Sequence, residues 1–535
     1  MGDSRTGQLS IMRIILVVMG LFALYFASMG SYPLVDPDEP VYGQVAKEMA
    51  AGAGWLTPHY DGKPWFDKPP LFYWLSSISA RVFGPTELAC RLPSAVLAVA
   101  VIFLLYFLVK HDFGRRAALF AAVVMGTCLQ TIILARAVVT DMTLLFCLLG
   151  ALYAYRRWFD ADGPSRFGWM AACGAMTGLG MLAKGPVAPL LLFVTFFIHL
   201  WRTGRLRRLV SWDALAGIAM ALIVGVPWFA AMYVLHREAF VHQFIEVNNV
   251  TRFLTPEHAK VTGGWYSYFL NIPVLFVFFF PWSVFLPSGL LRFKGANEGA
   301  KLAGIWFAVV FVFFSLSKTQ LVTYIFPLYP AAALFVGVLL DKAASGELGC
   351  EKAVRRGLIG AILAAALLAV GLVVTARSKY PDAMMAIAAL GGILLSAPVI
   401  AFLLRGKPGR AAWAIGTGMA IFALVLMFGV VPSITPAIST RDIIRTIPRV
   451  ADGRVVEWNL RKPSILFYLG FTPEHLPSAF EARRLLGKEV STWVICKDKD
   501  APLLRVKGSV ETARMGGLAV IANESAAKRK GSVRN

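Results

Sequence analysis

Long apolar runs separated by short polar loops dominate the chain from residue 11 to about residue 434. Each run is about 20 residues long, which is enough for a helix to cross roughly 30 Å of hydrocarbon. The pattern predicts an all-α polytopic membrane protein with about thirteen transmembrane helices. The predicted spans are 11–31, 88–109, 117–134, 138–155, 168–183, 185–200, 212–235, 267–290, 302–316, 322–340, 356–375, 384–404 and 411–434.

The pattern changes after residue 434. Three short strand-like runs, 454–458, 492–496 and 519–522, alternate with helical stretches there. This alternation favours a small α/β domain of about 100 residues. We therefore divide the chain into a transmembrane domain, 1–434, and a C-terminal domain, 435–535.

Two of the predicted outer loops are long, 32–87 and 236–266. The first loop contains two amphipathic stretches, 40–51 and 71–83. Such stretches are typical of helices that lie along the membrane surface.

Composition supports a membrane protein, since 57% of the residues are hydrophobic and only 16% are charged. The net charge of +22 does not indicate a nucleic-acid partner, because the basic residues are concentrated in every second loop. Basic loops stay in the cytoplasm. The N-terminus is thus predicted to be cytoplasmic and the C-terminal domain to lie outside. The basic loops are 110–116, 156–166, 202–208, 292–301, 342–356 and 405–410.

Carboxylates cluster directly after the first apolar run, at Asp36, Asp38 and Glu39. Acidic groups at a membrane boundary are costly unless they are paired or have a chemical task. The pattern predicts proton abstraction beside a phosphate carried by a lipid, with Asp38 and Glu39 as catalytic candidates. The structural alternative is that Asp36 or Asp38 only caps a helix.

Asp141 is the second candidate acid, at the outer end of the predicted fourth span. An unpaired carboxylate would be costly to bury there. Asp141 can therefore be a catalytic group, a structural partner of Arg136, or both.

Four basic residues, Lys68, Lys184, Arg252 and Lys318, fall in outer loops or at outer helix ends. Singly, each can be explained as a side chain that reaches the membrane interface. Together, facing acids on one side, they predict an anion site for a phosphate. Tyr324 is predicted at the same outer level of the membrane as these basic residues and is a candidate to stack on a sugar ring.

A divalent cation is a further candidate ligand. His59, His242 and His258, with Asp67 or Glu257, offer nitrogen and oxygen ligands on the outer face. Their spacing is not diagnostic, and exposed loop histidines explain it equally well.

The order of these motifs resembles a known family. The matching segments are 36–42 (Asp36 to Tyr42), 66–71 (Phe66 to Leu71), 183–186 (Ala183 to Pro186), 248–253 (Asn248 to Phe253) and 317–318 with Tyr324 and Pro327. They are similar to those of bacterial lipid A aminoarabinose transferases of the protein mannosyltransferase superfamily, which have the GT-C fold. The resemblance covers nearly the whole chain.

The resemblance implies a glycosyltransferase of the bacterial inner membrane that acts on the periplasmic face. Its donor would be a sugar, such as 4-amino-4-deoxy-L-arabinose, on a polyprenyl phosphate such as undecaprenyl phosphate. Its acceptor would be lipid A or another envelope molecule. Asp38 would be the catalytic carboxylate and Asp141 the second essential acid. Lys68 and Arg252 would hold the donor phosphate, while Asp67 stands where relatives often have Glu.

Two other functions stay open at this point. A protein O-glycosyltransferase of the mannosyltransferase type would use the same lipid-linked donor. A lipid-linked sugar flippase or transporter would instead place ionisable residues near span midpoints. The notable charges here lie at outer span ends, which favours the glycosyltransferase.

Overall fold

The computed structural model describes residue 20 and residues 23–255, 268–292, 297–448 and 453–532. Most of the predicted first span and the end of the second outer loop, with Glu257 and His258, lie outside the described residues. For Arg252 the backbone is described and the side chain is not.

Among the described residues before the C-terminal domain, the regular elements are helices, apart from one two-stranded ribbon. The ribbon joins β1 (His59–Tyr60) to β2 (Lys63–Pro64). The helices are α1 Asp38–Ala50, α2 Leu71–Phe83, α3 Glu87–Thr127, α4 Leu129–Ala135, α5 Asp141–Asp160, α6 Ser165–Lys184, α7 Val187–Arg202, α8 Trp212–Phe240, α9 Asn271–Phe278, α10 Leu286–Arg292, α11 Glu298–Leu316, α12 Tyr329–Ala344, α13 Leu348–Lys379, α14 Met384–Leu403, α15 Pro408–Val425 and α16 Val431–Ile438.

The helices follow the predicted spans. Every span predicted from residue 88 onward overlaps a helix of the structure. Among the described residues, seven helices are long and apolar enough to cross a membrane, or eight if α9 and the bent segment after it form one span. The count of thirteen spans therefore stays a prediction. Two predicted spans, 88–109 and 117–134, share α3, where Gly114 alone has a non-helical backbone with φ 83°.

Close contact between α6 and α8 fixes the end of α6. A Cβ on Gly174 would lie 2.0 Å from the carbonyl oxygen of Gly217, and one on Gly178 would lie 2.8 Å from the carbonyl oxygen of Ala221. Small residues allow membrane helices to approach in this way. The packing holds Lys184, the last residue of α6, at one end of the bundle.

The C-terminal domain is an α/β sheet domain, as predicted. Its five strands have the order β4-β3-β5-β7-β6, with β3 parallel to both β4 and β5 and the other pairs antiparallel. Both central strands, β5 and β7, are almost wholly buried because apolar clusters cover each face of the sheet. The elements are α17 Arg441–Ile444, β3 Arg454–Trp458, α18 Pro463–Leu469, β4 Glu474–Leu476, α19 Ala479–Leu486, β5 Thr492–Lys497, β6 Ser509–Met515, β7 Leu518–Asn523 and α20 Glu524–Ser532.

The C-terminal domain packs against the first outer loop. The Tyr468 hydroxyl accepts a hydrogen bond from the Leu34 N–H at 2.7 Å, and Lys47 donates to the Phe467 carbonyl at 2.9 Å. Arg441 pairs with Glu87, with 3.2 Å between nitrogen and oxygen. The domain and the loop that carries Asp38 therefore lie on the same side of the helical bundle.

Candidate active site

Arg91 organises the segment that leads into α1. Its side chain is fully buried at the start of α3 and donates to both oxygens of Glu39, at 3.0 and 2.7 Å. It also donates to three backbone carbonyls, those of Met29, Tyr32 and Pro33, at 2.7–2.9 Å. A buried charge is tolerated only when paired and hydrogen-bonded in this way. One guanidinium thus holds the chain between the first span and α1.

Glu39, which the sequence makes a catalytic candidate, is buried and pairs with Arg91. Besides Arg91, its carboxylate accepts hydrogen bonds from the backbone N–H groups of Val35 and Val138, at 2.8 and 2.9 Å. Each oxygen therefore already accepts two hydrogen bonds. Because Val138 lies three residues before Asp141, Glu39 joins the two acidic segments of the site.

Asp38 is the first residue of α1 and is exposed. A carboxylate at a helix N-terminus is stabilised in its ionised form by the helix dipole. The neighbouring Asp36 does not cap the helix. Both of its oxygens accept hydrogen bonds from Ser464 of the C-terminal domain instead. The capping alternative therefore does not hold for Asp36.

Tyr42, one turn into α1, contacts one predicted acid and is affected by the charges of two others. Burial, and then the negative charges of Asp67, Asp38 and Asp141, raise the pKa of Tyr42 well above its ordinary value. The Tyr42 hydroxyl also lies 3.5 Å from Oδ2 of Asp67. Charges act on a hydroxyl in this way only when they are near it. Asp38, Asp67 and Asp141 are therefore all near enough to Tyr42 for their charges to act on its hydroxyl.

Asp141 pairs with Lys184. Its Oδ1 lies 2.7 Å from the Lys184 ammonium, and both side chains are largely buried. The ammonium also lies 5.4 Å from the centre of the Tyr324 ring, within the range of a cation–π contact. The structure therefore brings together three predicted residues that are far apart in sequence.

The predicted alternative partner of Asp141 was Arg136, and this pairing is wrong. Arg136 donates to the carbonyl oxygens of Leu24 and Tyr25, at 2.9 and 3.2 Å, and so binds the end of the first span. Because those carbonyls lie at a helix end, they lack intrahelical partners and accept an external donor.

The loop before α2 carries Asp67 and Lys68. The Lys68 ammonium lies 3.1 Å from Asp67 Oδ1, and only 13% of the Lys68 side chain is exposed. The preceding Phe66 packs on α8, with its ring centre 5.0 Å from that of His236 and 5.5 Å from that of Phe240. This apolar anchor holds the charged pair against the bundle.

Arg252 and Lys318 belong to two segments that contact each other. The backbone N–H of Lys318 donates to the Phe253 carbonyl at 3.0 Å, and the Lys318 side chain is exposed. The helical segment Val241–Thr251, which precedes Arg252, reaches the end of α6. Its Asn249 side-chain oxygen lies 3.6 Å from where a Cβ on Gly185 would stand. The backbone of Arg252 thus follows a segment that packs beside Lys184.

The proposed ligands of a divalent cation are not brought together among the described residues. His242 is exposed and pairs with Glu246 at 2.8 Å. The one described cluster with suitable ligand atoms is His111, Asp112 and Asp160. It lies at the other end of α5, about 28 Å from Asp141, and Arg156 already pairs with both of its carboxylates. A cation at the site stays a prediction.

Arg91 and Ser464 were missed by the sequence analysis. Arg91 did leave a signal, because it is a charged residue inside a predicted apolar span, where such residues are rare unless they have a role. Ser464 left none. Its contact with Asp36 joins residues 428 positions apart.

Comparisons with known proteins indicate the kind of protein to which this chain is similar. Residues 67–230 match the family of dolichyl-phosphate-mannose-protein mannosyltransferases. The chain is 27% identical over 502 residues to undecaprenyl phosphate-alpha-4-amino-4-deoxy-L-arabinose arabinosyl transferase 1 of Pseudomonas fluorescens strain Pf0-1, which covers 89% of this chain and 87% of that relative.

Solved structures show the same fold. The crystal structure of ArnT from Cupriavidus metallidurans in the apo state superposes with a TM-score of 0.79 and 25% identity, covering 98% of this chain and 99% of that one. The structure of the same enzyme bound to undecaprenyl phosphate gives a TM-score of 0.81 at 24% identity, covering 95% and 98%. The chain is therefore a multi-pass membrane glycosyltransferase of the GT-C fold, similar to the aminoarabinose transferases.

Proposed function

We propose that the protein transfers 4-amino-4-deoxy-L-arabinose from undecaprenyl phosphate to lipid A on the periplasmic face of the inner membrane. The observation that carries the proposal is that Tyr42, in the helix that begins at Asp38, contacts Asp67, whose carboxylate pairs with Lys68. Asp141 pairs with Lys184 in the same way. This arrangement offers a base and phosphate-binding cations in one place. The sugar and its undecaprenyl phosphate carrier are those in the names of the relatives. Lipid A as the acceptor is what the resemblance of the motifs implies.

Asp38 is the base in this proposal. As the acceptor oxygen attacks the anomeric carbon, a new carbon–oxygen bond forms and Asp38 takes the proton of the acceptor O–H group. The bond between the anomeric carbon and the phosphate oxygen breaks, and its electron pair leaves with undecaprenyl phosphate. A single displacement of this kind inverts the anomeric centre.

The cations of the site stabilise the leaving phosphate. Lys68 and Lys184 are held by Asp67 and Asp141, so their ammonium groups are in place before the substrate arrives. Pre-positioned charge is effective because it needs no reorganisation when negative charge develops. Arg252 and Lys318, on two segments that contact each other, are the further phosphate ligands that we propose.

The undecaprenyl chain would lie in an apolar cavity beside the site. This cavity of about 320 Å³ lies between α9 and the segment 320–322, which connects Lys318 to Tyr324. Its walls are almost wholly apolar, as a hydrocarbon chain requires. The lining residues are Leu270, Asn271, Pro273, Val274, Val277, Phe278, Gln320, Leu321 and Val322.

The orientation follows from the basic loops. We place the N-terminus in the cytoplasm and the C-terminal domain in the periplasm, because the alternate loops are basic. The C-terminal domain packs on the first outer loop, which supports placing both on the same side of the membrane.

A second candidate is a protein O-glycosyltransferase, which the family match over residues 67–230 favours. It would use the same carboxylate and cations with a protein hydroxyl as acceptor. A flippase or transporter is less well supported, because it would not need a carboxylate at a helix start beside paired lysines.

The purified protein in lipid nanodiscs tests the proposal directly. With undecaprenyl phosphate-linked aminoarabinose as donor and lipid A as acceptor, wild type should form modified lipid A and Asp38→Asn should form none. Transfer by Asp38→Asn at the wild-type rate would remove the base assignment. Transfer to a protein but not to lipid A would favour the second candidate.

A further inference from the structure

Asp36 connects the catalytic segment to the C-terminal domain. The Ser464 backbone N–H donates to Asp36 Oδ1 at 2.9 Å, and the Ser464 hydroxyl donates to Oδ2 at 2.6 Å. Two hydrogen bonds to one carboxylate fix its orientation as well as its position. Ser464 itself lies in the first turn of α18 and is fully buried.

The surroundings of this contact strengthen it. The Asp36 backbone N–H donates to the carbonyl of Ile438, the last residue of α16, at 3.2 Å. The Thr440 hydroxyl lies 2.8 Å from the Ser464 hydroxyl, and the Lys462 ammonium lies 4.0 Å from Asp36 Oδ2. Burial raises the pKa of Asp36, while the Ser464 hydrogen bonds and Lys462 act in the opposite direction.

Asp36 is separated from the proposed base by one residue. That residue is Pro37, whose ring fixes its own φ angle. Two residues span at most about 7 Å. A displacement of Asp36 is therefore transmitted directly to Asp38, because the intervening chain has little freedom to absorb it.

We propose that the C-terminal domain positions the catalytic base through the hydrogen bonds between Ser464 and Asp36. Asp36 and Ser464 are positioning residues in this account, since both oxygens of Asp36 are occupied by Ser464. The inference rests on the proposed role of Asp38 as base. It assigns to the C-terminal domain a part in catalysis, beyond its packing against the loop.

The predicted consequence is a loss of turnover without a loss of donor binding. The donor phosphate is bound by lysines on other segments, whereas the base is held through Asp36. A misplacement of about 1 Å can reduce a rate about 100-fold. We therefore expect kcat to fall about 10- to 100-fold in Asp36→Asn and Ser464→Ala, with the donor KM unchanged.

The test measures kcat, donor KM and the melting temperature in nanodiscs for Asp36→Asn, Ser464→Ala and the double variant. The double variant should be no slower than Asp36→Asn alone, because both changes break the same contact. Lys47→Met is the matched control, because it removes a different hydrogen bond between the same two parts and should keep the wild-type kcat. Asp36→Asn is nearly isosteric, so it supplies the answer if Ser464→Ala does not fold.

The inference would be overturned if folded Asp36→Asn kept the wild-type kcat. It would also be overturned if kcat fell as much in Lys47→Met as in Asp36→Asn. Asp38→Asn, measured alongside, separates this outcome from a failure of the proposed function. If Asp38→Asn is inactive while Asp36→Asn keeps its turnover, the base assignment stands and only the positioning role is wrong. If Asp38→Asn stays active, the proposed mechanism itself fails.

Discussion

Lys184 supplies the counterion that a largely buried carboxylate at Asp141 requires. The pair joins the first residue of α5 to the last residue of α6, and the centre of the Tyr324 ring lies 5.4 Å from the ammonium. The lysine neutralises Asp141 and, in the function that we propose, also presents positive charge to a phosphate. These two roles make it sensitive to substitution.

Lys184→Met should reduce kcat/KM about 10- to 100-fold, because one phosphate-binding charge is lost and Asp141 is left unpaired. Steady-state transfer assays in nanodiscs would measure this. The exposed Lys301 on α11 offers a matched control, since Lys301→Met removes only an exposed pair with Glu298. If Lys184→Met keeps the wild-type kcat/KM, the proposed role of Lys184 in binding the phosphate is wrong.

Glu39→Gln should destabilise the protein by about 3–5 kcal/mol, since it leaves the buried Arg91 charge uncompensated. Thermal unfolding of the purified protein would show the change as a lower melting temperature. Glu511→Gln, which breaks an exposed pair with Arg514, should leave the melting temperature unchanged. Equal melting temperatures for Glu39→Gln and wild type would contradict the structural role assigned to Glu39.

At the scale of elements, α9 forms one wall of the apolar cavity. Helices α9 (Asn271–Phe278) and the segment 282–292 meet at 115° instead of forming one straight span. The chain thus turns directly after the residues of α9 that line the cavity. The lipid chain of the donor lies in this cavity in the function that we propose.

Val274→Trp should fill this cavity and raise the KM for the lipid donor about tenfold, with little change in kcat, because the chain contacts do not change during the reaction. Leu363→Trp on α13 is the control, since Leu363 is 62% exposed outside the cavity. An unchanged donor KM in Val274→Trp would place the undecaprenyl chain elsewhere.

At the scale of the whole molecule, the C-terminal domain and the first outer loop form one side of the protein. Alkaline phosphatase fused after Asn535 should be active, because the account places this domain in the periplasm. A cytoplasmic reporter at the same position should be inactive. The reverse pattern would place the proposed site on the cytoplasmic face and contradict the orientation.

The helices were predictable and the pairings were not. Apolar runs have to form helices in a membrane, so α5 and α6 follow from hydropathy alone. The partners in the site depend on how helices pack, and one sequence carries no record of that packing. Asp141 and Lys184 are 43 positions apart, Glu39 and Arg91 52, and Asp36 and Ser464 428. The motifs located Asp38 and Lys68, but the structural role of Glu39 required the packed bundle.

The central claim is that this chain adds aminoarabinose to lipid A with Asp38 as base. Mass spectrometry of lipid A, after deletion of the gene and its restoration as wild type or as Asp38→Asn, tests it most directly. We expect a mass of one aminoarabinose to disappear from lipid A on deletion, to return with wild type and not to return with Asp38→Asn. Lipid A that is unchanged by the deletion, or restored by Asp38→Asn, would contradict it.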